Sequence, residues 1–129
     1  MCNVKATVSL LAFAFGFLLF PNQSRAEFRS AKDMQKECRI ALALLQGTAA
    51  NTTDNALLAG ECIGYVQGVA DAAMALAESV SWYRVCAPDS ISTQVLIQKF
   101  IAFVDANPKY TLASTAIEMM LRQEFPCRK

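Results

Sequence analysis

Apolar residues recur along this chain every three or four positions, and strand-like alternation of any length is absent. Met34, Cys38, Ala41, Leu42 and Leu45 follow the spacing that places side chains on one face of an α-helix. Ser30 can cap that helix, with Asp33 at the third helical position as in a capping box. Gln46-Gly47 and the polar stretch from Thr48 to Asp54 end it. A second helix is expected from about Asn55 to Trp82, capped by Asp54 and rich in alanine, the best helix former. Leu58, Cys62, Val66, Val69, Ala73, Leu76 and Val80 form its inner stripe. Cys86-Ala87-Pro88-Asp89 breaks the chain. Ser92 then suits the N-cap of a third helix, with Ile91 and Leu96 spaced as a hydrophobic staple. Val95, Ile97, Phe100, Ile101 and Val104 fill its core face, and Asn107-Pro108 stops it, because the residue before proline disfavours helical geometry. A fourth helix from about Thr111 carries Leu112, Ala116, Met119, Met120 and Leu121 and ends at Phe125-Pro126. The pattern predicts an all-α protein, a compact four-helix domain of two antiparallel helical hairpins.

The N-terminus follows a different rule. Lys5 precedes an apolar run of about 13 residues, Val8 to Phe20, which Pro21 closes. That run is short of the roughly 20 residues a membrane-spanning helix needs. Ser24-Arg25-Ala26 offers small residues at the −3 and −1 positions of a cleavage site, so residues 1–26 read as a secretory signal peptide cut after Ala26. Residues 27–129 remain as one small domain, expected in the periplasm and free of the membrane. They hold ten of the chain's twelve basic residues and all eleven acidic ones. This balance, with no basic cluster, argues against nucleic acid as a partner.

Cys38, Cys62, Cys86 and Cys127 lie beyond the cleavage site. An even count in a small exported chain reads as two disulfides. A metal site is disfavoured, since there is no histidine and no close CxxC pair of the kind zinc sites use. In an antiparallel hairpin, residues equidistant from the turn lie at one height. The midpoint of Cys38 and Cys62 is residue 50, inside the first predicted loop; that of Cys86 and Cys127 falls at the second predicted turn, between 106 and 107. Cys62 and Cys86 stand at opposite ends of one helix, about 36 Å apart, far beyond the roughly 7 Å a disulfide spans. The expected pairs are therefore Cys38–Cys62 and Cys86–Cys127.

Catalytic chemistry has no obvious seat. No histidine is present to serve a nucleophile, and the cysteines are expected to be oxidised. Asp71 and Glu78 share a helix face seven residues apart, which reads as a solvated face rather than an acid–base pair. No cofactor is implied. The sequon Asn51-Thr52-Thr53 reads as turn chemistry.

The most distinctive segment is Cys62-Ile63-Gly64-Tyr65-Val66-Gln67-Gly68-Val69-Ala70-Asp71. Gly64 and Gly68 lie one turn apart inside a helix, at about 1 kcal/mol each relative to alanine, so a packing reason is expected. Their spacing suits close helix contact within the fold, and Asp71 is placed to accept hydrogen bonds from a neighbouring loop. Gly64, Tyr65, Gly68 and Asp71 are thus expected to be structural. The expected contact for a partner is instead Trp82-Tyr83-Arg84 at the end of the long helix, which joins the single tryptophan to a tyrosine and an arginine, types enriched at binding hot spots. The loop Thr48–Asp54 is a second choice.

Cys62-x-Gly64-Tyr65-x-x-Gly68-x-x-Asp71, Cys86-x-Pro88 before a helix with Ser92 and Gln94, Asn107-Pro108 and a terminal Phe125-Pro126-Cys127 occur in that order. Together they resemble the Rap/Tai family of type VI secretion amidase immunity proteins, over about residues 28–127. The resemblance implies a small periplasmic helical protein with disulfides, often a homodimer, which binds and blocks a peptidoglycan-cleaving amidase effector without being an enzyme itself. The alternative is a small periplasmic stress chaperone or an orphan binding protein of the same fold.

Overall fold

The computed structural model describes residues 28–80 and 82–127; the expected signal peptide and its cleavage point after Ala26 lie outside the described residues. Four helices follow one another: α1 (Ala31–Leu45), α2 (Thr53–Ser79), α3 (Thr93–Ala106) and α4 (Ala113–Glu124). Every pair of them is in contact, and α1 packs most extensively against α2. The all-α expectation holds, with four helices and no strand longer than an isolated bridge among the described residues.

Side chains begin three of the helices. The Ser30 hydroxyl accepts from the Asp33 backbone N–H at 3.1 Å and donates to the Asp33 carboxylate at 2.7 Å, satisfying one of the donors that a helix start leaves open. Ser92 accepts from the N–H of Val95 in the same way. For α2 the cap is Thr52, which accepts from the N–H of Asn55. The helix therefore starts two residues before the expected Asn55, and Asp54 sits in its first turn, where a carboxylate meets the positive end of the helix dipole.

Helix α4 has no side-chain cap. Instead Ser30 and Leu112 form an antiparallel bridge. The N–H of Ala113 donates to the carbonyl of Arg29 at 3.0 Å, and that of Ala31 to the carbonyl of Thr111 at 2.7 Å. Each helix thus has its first N–H satisfied by the chain entering the other.

The far end of α2 departs from the sequence expectation. The helix stops at Ser79, with Val80 already extended, rather than reaching Trp82. Val80, Trp82, Tyr83 and Val85 are β-branched or aromatic residues that lose side-chain freedom in a helix. The non-helical path turns Tyr83 and Val85 inward, where they are 3% and 2% exposed. Burying those two side chains outweighs another helical turn.

Phe100, Met34, Ile97, Ile117, Met120 and Leu121 are the largest fully buried side chains, so every helix except α2 gives bulky groups to the centre. The contribution of α2 is smaller: Ala59, Cys62, Val66, Ala70 and Ala73, small residues that let it lie close. Leu45, Leu76, Val95 and Leu112, expected on inner faces, are exposed; each stands in the first or last turn of its helix or at its cap, where the bundle no longer surrounds it.

The disulfides are Cys38–Cys62 and Cys86–Cys127, with Cα atoms 5.1 and 4.9 Å apart. Cys38 and Cys62 are fully buried, whereas Cys86 is exposed.

Candidate partner-binding surface

The segment between α2 and α3 carries the residues that sequence reasoning singled out for a partner, and it is held from several sides. Tyr83 donates its N–H to the Val80 carbonyl at 2.9 Å. Cys86 donates its N–H to the Phe125 carbonyl at 2.8 Å, beside the bond from its own side chain to Cys127. The N–H of Ile91 donates to the Pro88 carbonyl at 3.1 Å. Covalent and hydrogen-bond anchors thus fix both the middle of the segment and its approach to α3.

The structure divides the three expected contact residues. Tyr83 is buried, which corrects its place among them: it serves as the root of the loop. The Arg122 guanidinium lies 4.4 Å from the centre of its ring, a cation–π geometry, and Arg122 also donates to Glu118 at 2.8 Å. The Nε of Arg122 is buried with no hydrogen-bond partner, so this guanidinium is satisfied from one side and held by the ring on the other. Burial pushes the Tyr83 phenol above its ordinary pKa, and the Glu118 charge adds to the rise.

Trp82 is the opposite case. It is 73% exposed, with only an edge-on contact to the Tyr83 ring at 6.2 Å between centroids. Arg84 is exposed as well. An indole so open on a loop so well tied gives a large rigid contact surface that loses little freedom when covered. Exposure alternates along the segment, with Trp82 and Arg84 open to solvent and Tyr83 and Val85 buried.

The glycine motif behaves differently from its expectation. Gly60, Gly64 and Gly68 are exposed, and a Cβ placed on any of them meets nothing within 4 Å. No close approach inside the fold requires them, and the expected internal packing role of Gly64 and Gly68 is corrected. Asp71 is exposed too and accepts no hydrogen bond among the described residues. Tyr65, by contrast, is half-buried and packs on the core. The second-choice loop is braced by its own bonds, from the Thr48 hydroxyl to the Ala43 carbonyl and from the Asn55 amide to the Ala50 carbonyl.

Between α1 and α3 lies a polar cluster built around Gln35, which no sequence pattern announces. The Gln35 amide donates to the Ile101 carbonyl at 2.9 Å and to Asp105 at 2.8 Å, and Arg39 donates to Asp105 at 2.7 Å. These residues tie α1 to α3 and are satisfied by one another, leaving no reactive group. Among the described residues no three acidic, cysteine or histidine side chains come together as a metal ion would need.

Across this whole arrangement, from Ser30 to Cys127, one family model matches: that of the Rap1a immunity proteins, over residues 30–127. No curated protein and no solved structure matches the chain.

Proposed function

Because the chain belongs to the Rap1a immunity protein family, we propose that it neutralises a type VI secreted peptidoglycan amidase in the periplasm, by binding the enzyme and covering its active-site cleft. Inhibition of this kind asks no chemistry of the inhibitor, only a rigid surface, so the chain acts as a binding protein and not as an enzyme. The observation that carries the reading is the family match across the entire fold. The exposed Trp82 on its doubly anchored loop supports the mode of action. Export rests on the signal peptide expected at residues 1–26, and two disulfides suit an oxidising compartment. No helix among the described residues is long and apolar enough to cross a membrane.

Trp82 and Arg84 are the contact residues of this reading, with Tyr83 beneath them as their support. The same reading includes a homodimer, which the molar mass of the oxidised protein in solution decides as one chain or two.

The test is growth of a host in which the amidase is directed to the periplasm. Co-produced wild-type chain is expected to restore growth and to co-purify with the amidase. Trp82→Ala with Arg84→Ala is expected to lower affinity by about 2 kcal/mol or more, roughly thirtyfold. Both residues are exposed, so the stability of that variant should stay within about 0.5 kcal/mol of wild type. Lack of protection and of binding by the wild-type chain, with the amidase demonstrably produced, would sink the reading.

A further inference from the structure

Between the second half of α2 and the chain that enters α3 lies an open cleft of about 350 Å³. Its apolar lining is Met74 from α2, Ile91 just before α3, Leu96 from the first turn of α3 and Leu121 from α4, with the hydrogen-bonded pair Gln67 and Thr93 beside them. Leu121 is fully buried behind the cleft and Leu96 is nearly so, while Met74 and Ile91 are half-buried. Three carboxylates stand around it, Asp71, Glu78 and Asp89. Among the described residues none of the three joins an ion pair, and no lysine or arginine lines the cleft. Every other acidic residue of the helical bundle except Asp54 has a cationic partner.

We propose that this cleft receives a segment of the protein partner in which an apolar side chain is flanked by lysine or arginine. The apolar group covers Met74 and Ile91, and the cations meet the three carboxylates. Charge complementarity selects this occupant: like charges around one concave surface repel, and a cationic segment relieves that while an acidic or neutral one does not. The inference rests on the immunity reading for the identity of the partner, and it adds a second contact besides Trp82 together with the chemistry of what binds there. Rim charges act mainly on association rate and salt dependence, so their signature is distinct from that of the tryptophan.

The test uses the oxidised protein and two probes. The first is a short peptide of alternating lysine and leucine, with its glutamate–leucine counterpart as control, followed through the methyl signals of Met74 and Ile91. The second is the purified amidase, its affinity measured at low and high salt. The lysine peptide is expected to shift both methyl signals and the glutamate peptide neither. Asp71→Asn with Glu78→Gln and Asp89→Asn, three exposed near-isosteric changes, should weaken the amidase about tenfold and flatten its salt dependence. Failure of the lysine peptide to shift those methyls, or amidase binding by the triple variant with unchanged affinity and salt slope, overturns the cleft proposal and leaves the immunity reading intact. A chain that seats the lysine peptide in the cleft and binds no amidase shows the reverse: the cleft stands and the immunity reading falls. Concentration-dependent self-association that the triple variant abolishes would assign the cleft to a second copy and overturn the choice of partner.

Discussion

Alanine at Gly64 or Gly68 should stabilise this protein. The added methyl group would meet nothing within 4 Å at either position, and the helix gains about 1 kcal/mol at each site from the loss of glycine's freedom in the unfolded chain. Thermal unfolding followed by circular dichroism checks it: a rise in midpoint for each single variant is expected, and a fall would reveal a contact that the monomer lacks. The residue types and their spacing were legible in the sequence, but whether a neighbour stood opposite was not, because one helix carries no record of what its outer face meets. Trp82 and Tyr83 teach the same lesson. Both are large aromatics at the end of a helical pattern, and only the end of the helix at Ser79 decides which turns inward. The role of Gln35 was not legible, because its partners come from residues 101 and 105, far along the chain. Gln35→Ala is expected to cost about 1–2 kcal/mol in urea unfolding. The Gln35 amide first, and Arg39 with it, holds the Asp105 carboxyl below the usual carboxylate range. A carboxylate with a depressed folded-state pKa adds stability that is present above its unfolded pKa, about 4, and is lost as pH falls through the folded value. The unfolding midpoint should therefore hold from about pH 7 to 5 and decline below about pH 4, and Asp105→Asn should remove part of that decline.

At the scale of the element, caps and breakers were readable where the local chemistry is decisive. Ser30 and Ser92 begin their helices as expected, and Asn107-Pro108 ends α3. Besides the far end of α2, two boundaries moved, each for a physical reason. Thr52 outcompetes Asp54 as the cap of α2, since a threonine hydroxyl can accept from the N–H of Asn55 while Asp54 serves equally well inside the first turn. Thr52→Ala is expected to cost about 1 kcal/mol and Asp54→Asn a few tenths, a ratio that paired denaturation curves measure directly. The start of α4 has no side-chain cap and could not be located from one, because its N–H goes to Arg29 across the fold. A long-range bridge stands where a local signal was sought.

At the scale of the molecule, the class of fold and both cysteine pairs were legible because helical period and loop position together leave few ways to bring four cysteines within reach. The packing order was not: all four helices touch one another, and periodicity alone does not say which helix brings the bulk. Each disulfide should stabilise the protein by about 3–4 kcal/mol through restriction of the unfolded chain. Removing the buried pair with Cys38→Ala and Cys62→Ala should therefore lower stability by at least that much, a loss that denaturant unfolding under oxidising conditions reads. The two bonds also close two covalent rings, residues 38–62 and 86–127, that share no residue, and residues 63–85 are the single thread between them. A protease that nicks the loop after α1 or the turn before α4 cuts within a ring and leaves one molecule. A cut anywhere from 63 to 85 leaves two pieces with no bond between them. Within that thread, the stretch after α2 is the part outside regular structure, and it sets exposed Trp82 and Arg84 beside buried Tyr83 and Val85; a cut after the exposed aromatic or the exposed arginine would fall in the span where a single scission ends covalent unity.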